Sequence, residues 1–170
     1  VVNAVALVEN RNFDAGVQKL RYIFRVFDER NLLITERFGE TFVPASAVTA
    51  LFEASILTGS RTPAHVTLTF LGKTEWVRAS NKEREIVIGE RDLSDADTSP
   101  VLSAFVRNEG REALFDVELV ALLFDQEENV ITASKTVLPE LSRGERKTAV
   151  FTWIEPFQKV PTRIEIIPRV

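Results

Sequence analysis

The chain has 170 residues, of which 45% are hydrophobic and 27% are charged, and its formal net charge is −4. It contains no cysteine, which excludes a disulfide framework and a thiolate metal site. Residues 1–78 carry 9 basic and 8 acidic side chains, and residues 86–170 carry 10 and 15. Neither half has the basic excess of a nucleic-acid-binding domain. No run of about 18 apolar residues is present, so we expect no segment to insert into a membrane.

The first strong pattern along the chain is a β-hairpin. Apolar residues alternate with polar ones at Leu20, Tyr22, Phe24 and Val26, which is typical of a half-buried strand. The polar segment 28–31 follows, where aspartate and asparagine favour a turn. Proline lacks a donor for the strand ladder, so we expect residues 43–46 to end the second hairpin strand. Further strands are predicted near 48–53 and 65–70.

The second half of the chain repeats this order of elements. Segment 24–28 returns as 121–125, 97 positions later, and segment 61–66 returns as 159–164, 98 positions later. The residues corresponding to the first hairpin strand are Val117, Leu119, Ala121 and Leu123. We expect the segment around Pro139 to end a strand as Pro44 does, with strands near 146–153 and 162–167. The pattern predicts an all-β protein of two tandem antiparallel β-sandwiches related by internal duplication.

The repeat predicts the domain boundaries as well. The first sandwich spans 1–78, a linker spans 79–85 and the second sandwich spans 86–170. The linker is polar and has no glycine, so we expect an exposed and fairly stiff connection. The second copy opens with an additional strand at 86–88, and its equivalent in the first copy falls before Val1. Either the first sandwich lacks its first strand, or the chain was cut from a longer one, which the absent initiator methionine favours.

Three short motifs resemble a known family. Segments 24–28 (FRVFD) and 121–125 (ALLFD) resemble the FxLYD motif of small bacterial Ig-like domains. Segments 106–110 (VRNEG) and 141–145 (LSRGE) resemble two turns of the same family, although Ala121 replaces an aromatic residue and Arg143 replaces a proline. The resemblance implies Ig-like or fibronectin-III-like sandwiches, a position outside the cytoplasm and no catalytic residues.

A weaker similarity is found at residues 8–12. Asn10-Arg11-Asn12 is similar to the N-P-N turn of water-stress and hypersensitive-response domains, with Arg11 in place of the proline. This resemblance implies a protective domain of the late-embryogenesis type. It stands as an alternative function, beside an accessory domain of a larger enzyme whose catalytic part lies upstream of Val1.

We find no constellation that predicts catalysis or a resident metal. His65 is the only histidine, and its place in the alternation predicts a surface side chain opposite the core face. The acidic run Glu90, Asp92, Asp95 and Asp97 lacks the spacing and the glycine of a calcium loop, so we expect a solvated loop. Asp28 and Asp125 recur at the start of a turn, where their side chains are expected to bond the backbone. We therefore predict no enzyme, no cofactor and no catalytic or metal-binding residue.

Comparison of the two copies gives one candidate interface. The outer face of the repeated strand carries Arg25 in the first copy and Leu122 in the second, which makes an apolar stripe of Val120, Leu122 and Phe124. Exposed apolar stripes mark contacts with another domain or chain, although loops of the sandwich itself can also cover such a face. The sequence thus predicts a non-catalytic interaction or spacer module, secreted or anchored to the envelope. Its partner is an unknown protein or envelope component, and its oligomeric state is open.

Overall fold

The computed structural model describes all of residues 1–170, and its regular secondary structure is almost entirely antiparallel β-strand. The one helical element is a 3-10 turn at Glu83–Glu85, and no helix has the length and apolar character needed to span a membrane. The chain divides into two compact units, Val1–Asn81 and Lys82–Val170. The boundary between them falls inside segment 79–85.

The first unit contains six strands in two sheets. One sheet pairs β1 with β4, and the other has the order β3-β2-β5, with the short β6 also paired to β2. The core is formed by one face of β2 together with side chains from β1 and β4. The strands are β1 (Val2–Asn10), β2 (Ala15–Asp28), β3 (Leu33–Val43), β4 (Ala47–Ile56), β5 (Pro63–Leu71) and β6 (Trp76–Arg78).

The second unit also contains six strands in two sheets. One sheet has the order β11-β8-β7 and the other β10-β9-β12. Both sheets contribute side chains to a single buried core. The strands are β7 (Ile86–Ser94), β8 (Val101–Asn108), β9 (Leu114–Phe124), β10 (Val130–Leu141), β11 (Arg146–Thr152) and β12 (Arg163–Arg169).

The alternation that predicted the core strands is confirmed. The side chains of Leu20, Tyr22, Phe24 and Val26 are at most 5% exposed. Their counterparts in β9 are completely buried at Val117, Leu119, Ala121 and Leu123. Because successive strand residues point to opposite faces, period-two spacing was enough to identify the inward residues of the central strand in each unit.

Two local predictions were wrong. Strand β10 continues through Pro139 to Leu141, because β10 lies at the edge of its sheet, where a missing N–H costs no ladder bond. Segment 79–85 is not a plain exposed connection. The Asn81 amide donates to the carbonyl of Ser46 at 2.9 Å, and the half-buried Glu83 carboxylate accepts from the Val170 backbone at 3.2 Å. The segment is thus anchored at both ends.

The two units differ in one of their two sheets, the one that contains β1 in the first unit and β8 in the second. In the second unit β8 pairs with β11 on one side and with β7 on the other. In the first unit the corresponding strand β1 pairs with β4 alone. Within residues 1–81, no second strand pairs with β1.

Candidate functional site

The hairpin turn of the first unit is held by a carboxylate. Asp28 Oδ1 accepts hydrogen bonds from the backbone N–H of Arg30 at 3.0 Å and of Leu32 at 2.9 Å. Its other oxygen pairs with the guanidinium of Arg61, which precedes β5. The hydrogen bond from Arg61, together with those from the turn amides, lowers the pKa of Asp28 below its ordinary value. The carboxylate joins the β2–β3 turn to the segment that leads into β5.

The second unit contains the same arrangement. Asp125 Oδ1 accepts from the backbone N–H of Glu127 and of Asn129, each at 3.0 Å. Asp125 Oδ2 lies 2.7 Å from Lys159 Nζ, and this bond lowers the pKa of Asp125 and raises that of Lys159. The prediction that both aspartates cap turns is confirmed. The basic partners were missed, although the sequence carries a signal: a basic residue follows each aspartate by 33 or 34 positions.

A buried asparagine recurs at the end of β1 in the first unit and of β8 in the second. The Asn108 amide nitrogen donates to the carbonyls of Glu112 at 2.7 Å and Leu141 at 2.9 Å, and its oxygen accepts from Gly110 N–H at 2.8 Å. Its side chain is 0% exposed. This network explains the V-x-N-x-G pattern, since the buried asparagine satisfies backbone groups of the loop after β8 and of the end of β10.

Asn10 makes the corresponding hydrogen bonds in the first unit. Its amide nitrogen donates to the carbonyls of Ala15 at 2.8 Å and Pro44 at 2.7 Å, and its oxygen accepts from the Asn12 backbone at 3.0 Å. The Asn10-Arg11-Asn12 motif is therefore a turn whose first residue is buried at 5% exposure. Arg11 itself is exposed and pairs with Glu9 at 2.9 Å.

His65 lies on the surface, as predicted. It is opposite Phe27 in the β2–β5 ladder, and the two rings stack with centroids 4.9 Å apart and an interplanar angle of 7°. No group of three histidine, aspartate or glutamate side chains in the chain is arranged to hold a metal ion. The ring contact of His65 is therefore with Phe27 on the neighbouring strand.

The acidic run is divided between a strand and a turn. Glu90 and Asp92 belong to β7 and line a shallow pocket of about 160 Å³ together with Ser103, Phe105 and Thr148. Asp95 begins the following turn with a left-handed φ of 54°, and its carbonyl accepts from the backbone N–H of Thr98 at 3.0 Å. The carboxylates of the run do not converge on one point.

The predicted apolar stripe on β9 is buried. Val120, Leu122 and Phe124 are 2%, 0% and 5% exposed, so the stripe is covered and does not face solvent. Part of the cover comes from β12, where the guanidinium of Arg163 lies 3.6 Å from the centre of the Phe124 ring. Period-two spacing gives the direction of a side chain but not what lies above it. The role of these three residues in an interface stays a prediction.

No protein-family model matches the chain, and no curated protein matches it in sequence. The recurring aspartates, Asp28 and Asp125, and the recurring asparagines, Asn10 and Asn108, all bond the backbone of their own unit.

Proposed function

We propose that the chain is a non-catalytic interaction or spacer module, secreted or anchored to the cell envelope, made of two Ig-like units that arose by duplication. The observation that carries this proposal is that the polar residues which recur in both units bond the backbone of their own turns. Asp28 and Asp125 each bond two turn amides and one basic side chain. Groups occupied in this way hold turns, and they are not free to act on a substrate.

The equivalent networks support the duplication. Asn10 and Asn108 make corresponding bonds at the end of β1 and of β8, and Arg61 and Lys159 make corresponding ion pairs. Side chains that recur in position and also in bonding pattern are more than a chance match of short motifs. What has been kept in both copies is a framework, as expected for a module that presents preformed surfaces and loops to a partner.

Protease treatment of intact source cells tests the location. An antibody against the chain should detect its loss after trypsin is added to whole cells, while a cytosolic marker remains intact. Retention of the chain until the cells are lysed would contradict the proposal. A control in which detergent precedes the protease shows that the folded chain can be cleaved.

A further inference from the structure

Three loops of the second unit bond to one another at one end of the sandwich. The Trp153 backbone N–H donates to the carbonyl of Pro100 at 3.0 Å, and Lys159 Nζ lies 2.7 Å from Asp125 Oδ2. These contacts join the β11–β12 loop to the β7–β8 loop on one side and to the β9–β10 turn on the other. Together the three form one surface, the loop end, made of residues 95–100, 125–129 and 153–162.

The chain enters and leaves the second unit at the opposite end. The carbonyl of Glu85 accepts from the backbone N–H of Glu109, in the β8–β9 loop, at 2.8 Å. Val170, which follows β12, donates to the Glu83 carboxylate at 3.2 Å. Because the strands of each sheet run antiparallel, the β8–β9 loop and the loop end lie at opposite ends of the strands. The loop end is therefore far from both points at which this unit connects to the rest of the chain.

An aliphatic side chain projects from the loop end. Ile154 is 96% exposed, the highest value among the large hydrophobic side chains of the protein, and Val160 in the same loop is 81% exposed. Single exposed apolar residues are common, but this loop is fixed by its neighbouring aromatic residues. Trp153 packs against the core and donates through Nε1 to the carbonyl of Ala133 at 3.3 Å, and its ring meets that of Phe157 edge-on with centroids 5.2 Å apart. The loop therefore holds Ile154 in solvent.

The first unit has an aliphatic residue at the equivalent place. Leu57 lies 97 positions before Ile154 and is 73% exposed. The residue before it, Ile56, is buried in the core, as Trp153 packs against the core of the second unit. Only the inward residue of each pair contributes to its core, so folding of the unit does not explain the outward one.

The loop end also carries the negative charge of its unit. It has six acidic side chains and one basic one, a net charge of −5, and residues 86–170 as a whole carry 15 acidic and 10 basic side chains, also −5. Only Asp125 and Glu128 among the six pair with a basic side chain. The corresponding loops of the first unit, 28–32 and 57–62, have two acidic and two basic side chains. The negative potential is thus a property of the second unit alone.

We propose that the loop end docks on a basic surface of a partner protein, with Ile154 in an aliphatic pocket and the unpaired carboxylates of Asp97 and Glu155 facing lysine or arginine side chains. An apolar anchor within a polar rim is the usual organisation of an interface. Charge complementarity accelerates association and selects the partner. The same charge repels nucleic acids and anionic bilayers. This inference rests on the proposed interaction role and names the surface and the partner chemistry that the role requires.

A phage library of short random peptides, selected on the immobilised chain, is a suitable probe. The enriched peptides should combine lysine or arginine with an aliphatic residue, and the best of them is then synthesised for calorimetry. Ile154→Ser should weaken its binding about tenfold or more, because the apolar contact is lost. Leu57→Ser alters a residue of similar type and exposure in the first unit and should leave binding unchanged. Enrichment of no such peptide, or equal effects of the two substitutions, would overturn the proposal.

A second pair of variants tests the charge. Asp97→Asn with Glu155→Gln should weaken binding of the peptide several-fold and reduce its dependence on salt between about 0.05 and 0.5 M. Glu109→Gln with Glu140→Gln removes two exposed carboxylates at the opposite end of the same unit and should change neither. Binding that does not weaken with salt would contradict the pairing with basic side chains.

Other occupants of the loop end give different results. Binding of the chain to phosphatidylcholine vesicles that is lost in Ile154→Ser would replace the proposal by membrane insertion. A dimer in sedimentation that is lost in the same variant would replace it by self-association. These outcomes are separable from those of the cell experiment: a failed peptide selection says nothing about trypsin sensitivity on intact cells, and a cytosolic location would leave the peptide result standing.

Discussion

Replacement of the buried asparagine in the second unit should be costly for stability. Asn108→Ala removes three hydrogen bonds of 2.7–2.9 Å from a position with no solvent exposure. A hydrogen bond contributes about 1 kcal/mol net, so the free energy of unfolding of this unit should fall by about 3 kcal/mol. For a domain of this size, that corresponds to a decrease in Tm of about 12–24 °C.

Urea unfolding followed by tryptophan fluorescence measures this loss. Trp153 packs against the core of the second unit, whereas Trp76 belongs to the first, so a Trp76→Phe background makes the signal specific. Asn129→Ala is the matched control, because Asn129 is exposed and its amide bonds are long, at 3.3 and 3.4 Å. Its effect should stay within about 0.5 kcal/mol. If Asn108→Ala costs no more than the control, the bonds do not hold the two loops and the reasoning is refuted.

Three further predictions concern buried or paired side chains. Leu122→Ala should lower the free energy of unfolding by about 2–5 kcal/mol and the exposed Val137→Ala by much less, as measured by urea unfolding; equal losses would show that Leu122 is not packed. The lowered pKa of Asp125 means that its ion pair stabilises the chain at neutral pH and that this contribution disappears as the pH falls through the folded-state pKa, below about 4. Asp125→Asn should therefore show a shallower loss of Tm on acidification, and an unchanged slope would contradict the pairing. Burial raises the pKa of Glu83. The protonated side chain therefore contributes to folding stability below about pH 4, and this stability is lost as the pH rises through the raised folded-state pKa. Glu83→Gln should gain stability relative to the natural chain between pH 4 and 7, and a constant difference in urea midpoint would refute this.

The core strands could be predicted from the sequence because inward and outward residues alternate within each strand. Alternation over a few residues identified Tyr22 and Phe24, and the 97-residue repeat transferred that result to Leu119 and Ala121, all of which are buried. Subtraction of 97 or 98 also finds no counterpart of β7 within residues 1–81, and within those residues β1 pairs with β4 alone. Both inferences use spacing alone, which a single sequence contains.

Sequence spacing was insufficient where burial depends on contacts between residues that are distant in the sequence. Spacing placed Leu122 on the outer face of β9 but carries no information on what covers that face, where the side chain is completely buried. Glu83 was assigned to an exposed linker, and it accepts a bond from Val170, 87 residues away in the sequence. Pro139 was predicted to end a strand, because proline interrupts central strands. β10 is an edge strand, and a single sequence does not show which strands lie at the edge of a sheet.

The two turn ion pairs use different cations, Arg61 in the first unit and Lys159 in the second. An amine can be acylated under mild conditions, and acylation removes its charge, whereas a guanidinium is not modified by the same reagents. Lys159 is more than half exposed in its side chain and is therefore open to such a reagent. Acylation of the folded protein should discharge the pair with Asp125 and leave the pair with Asp28 intact, so that two equivalent turns become chemically distinguishable.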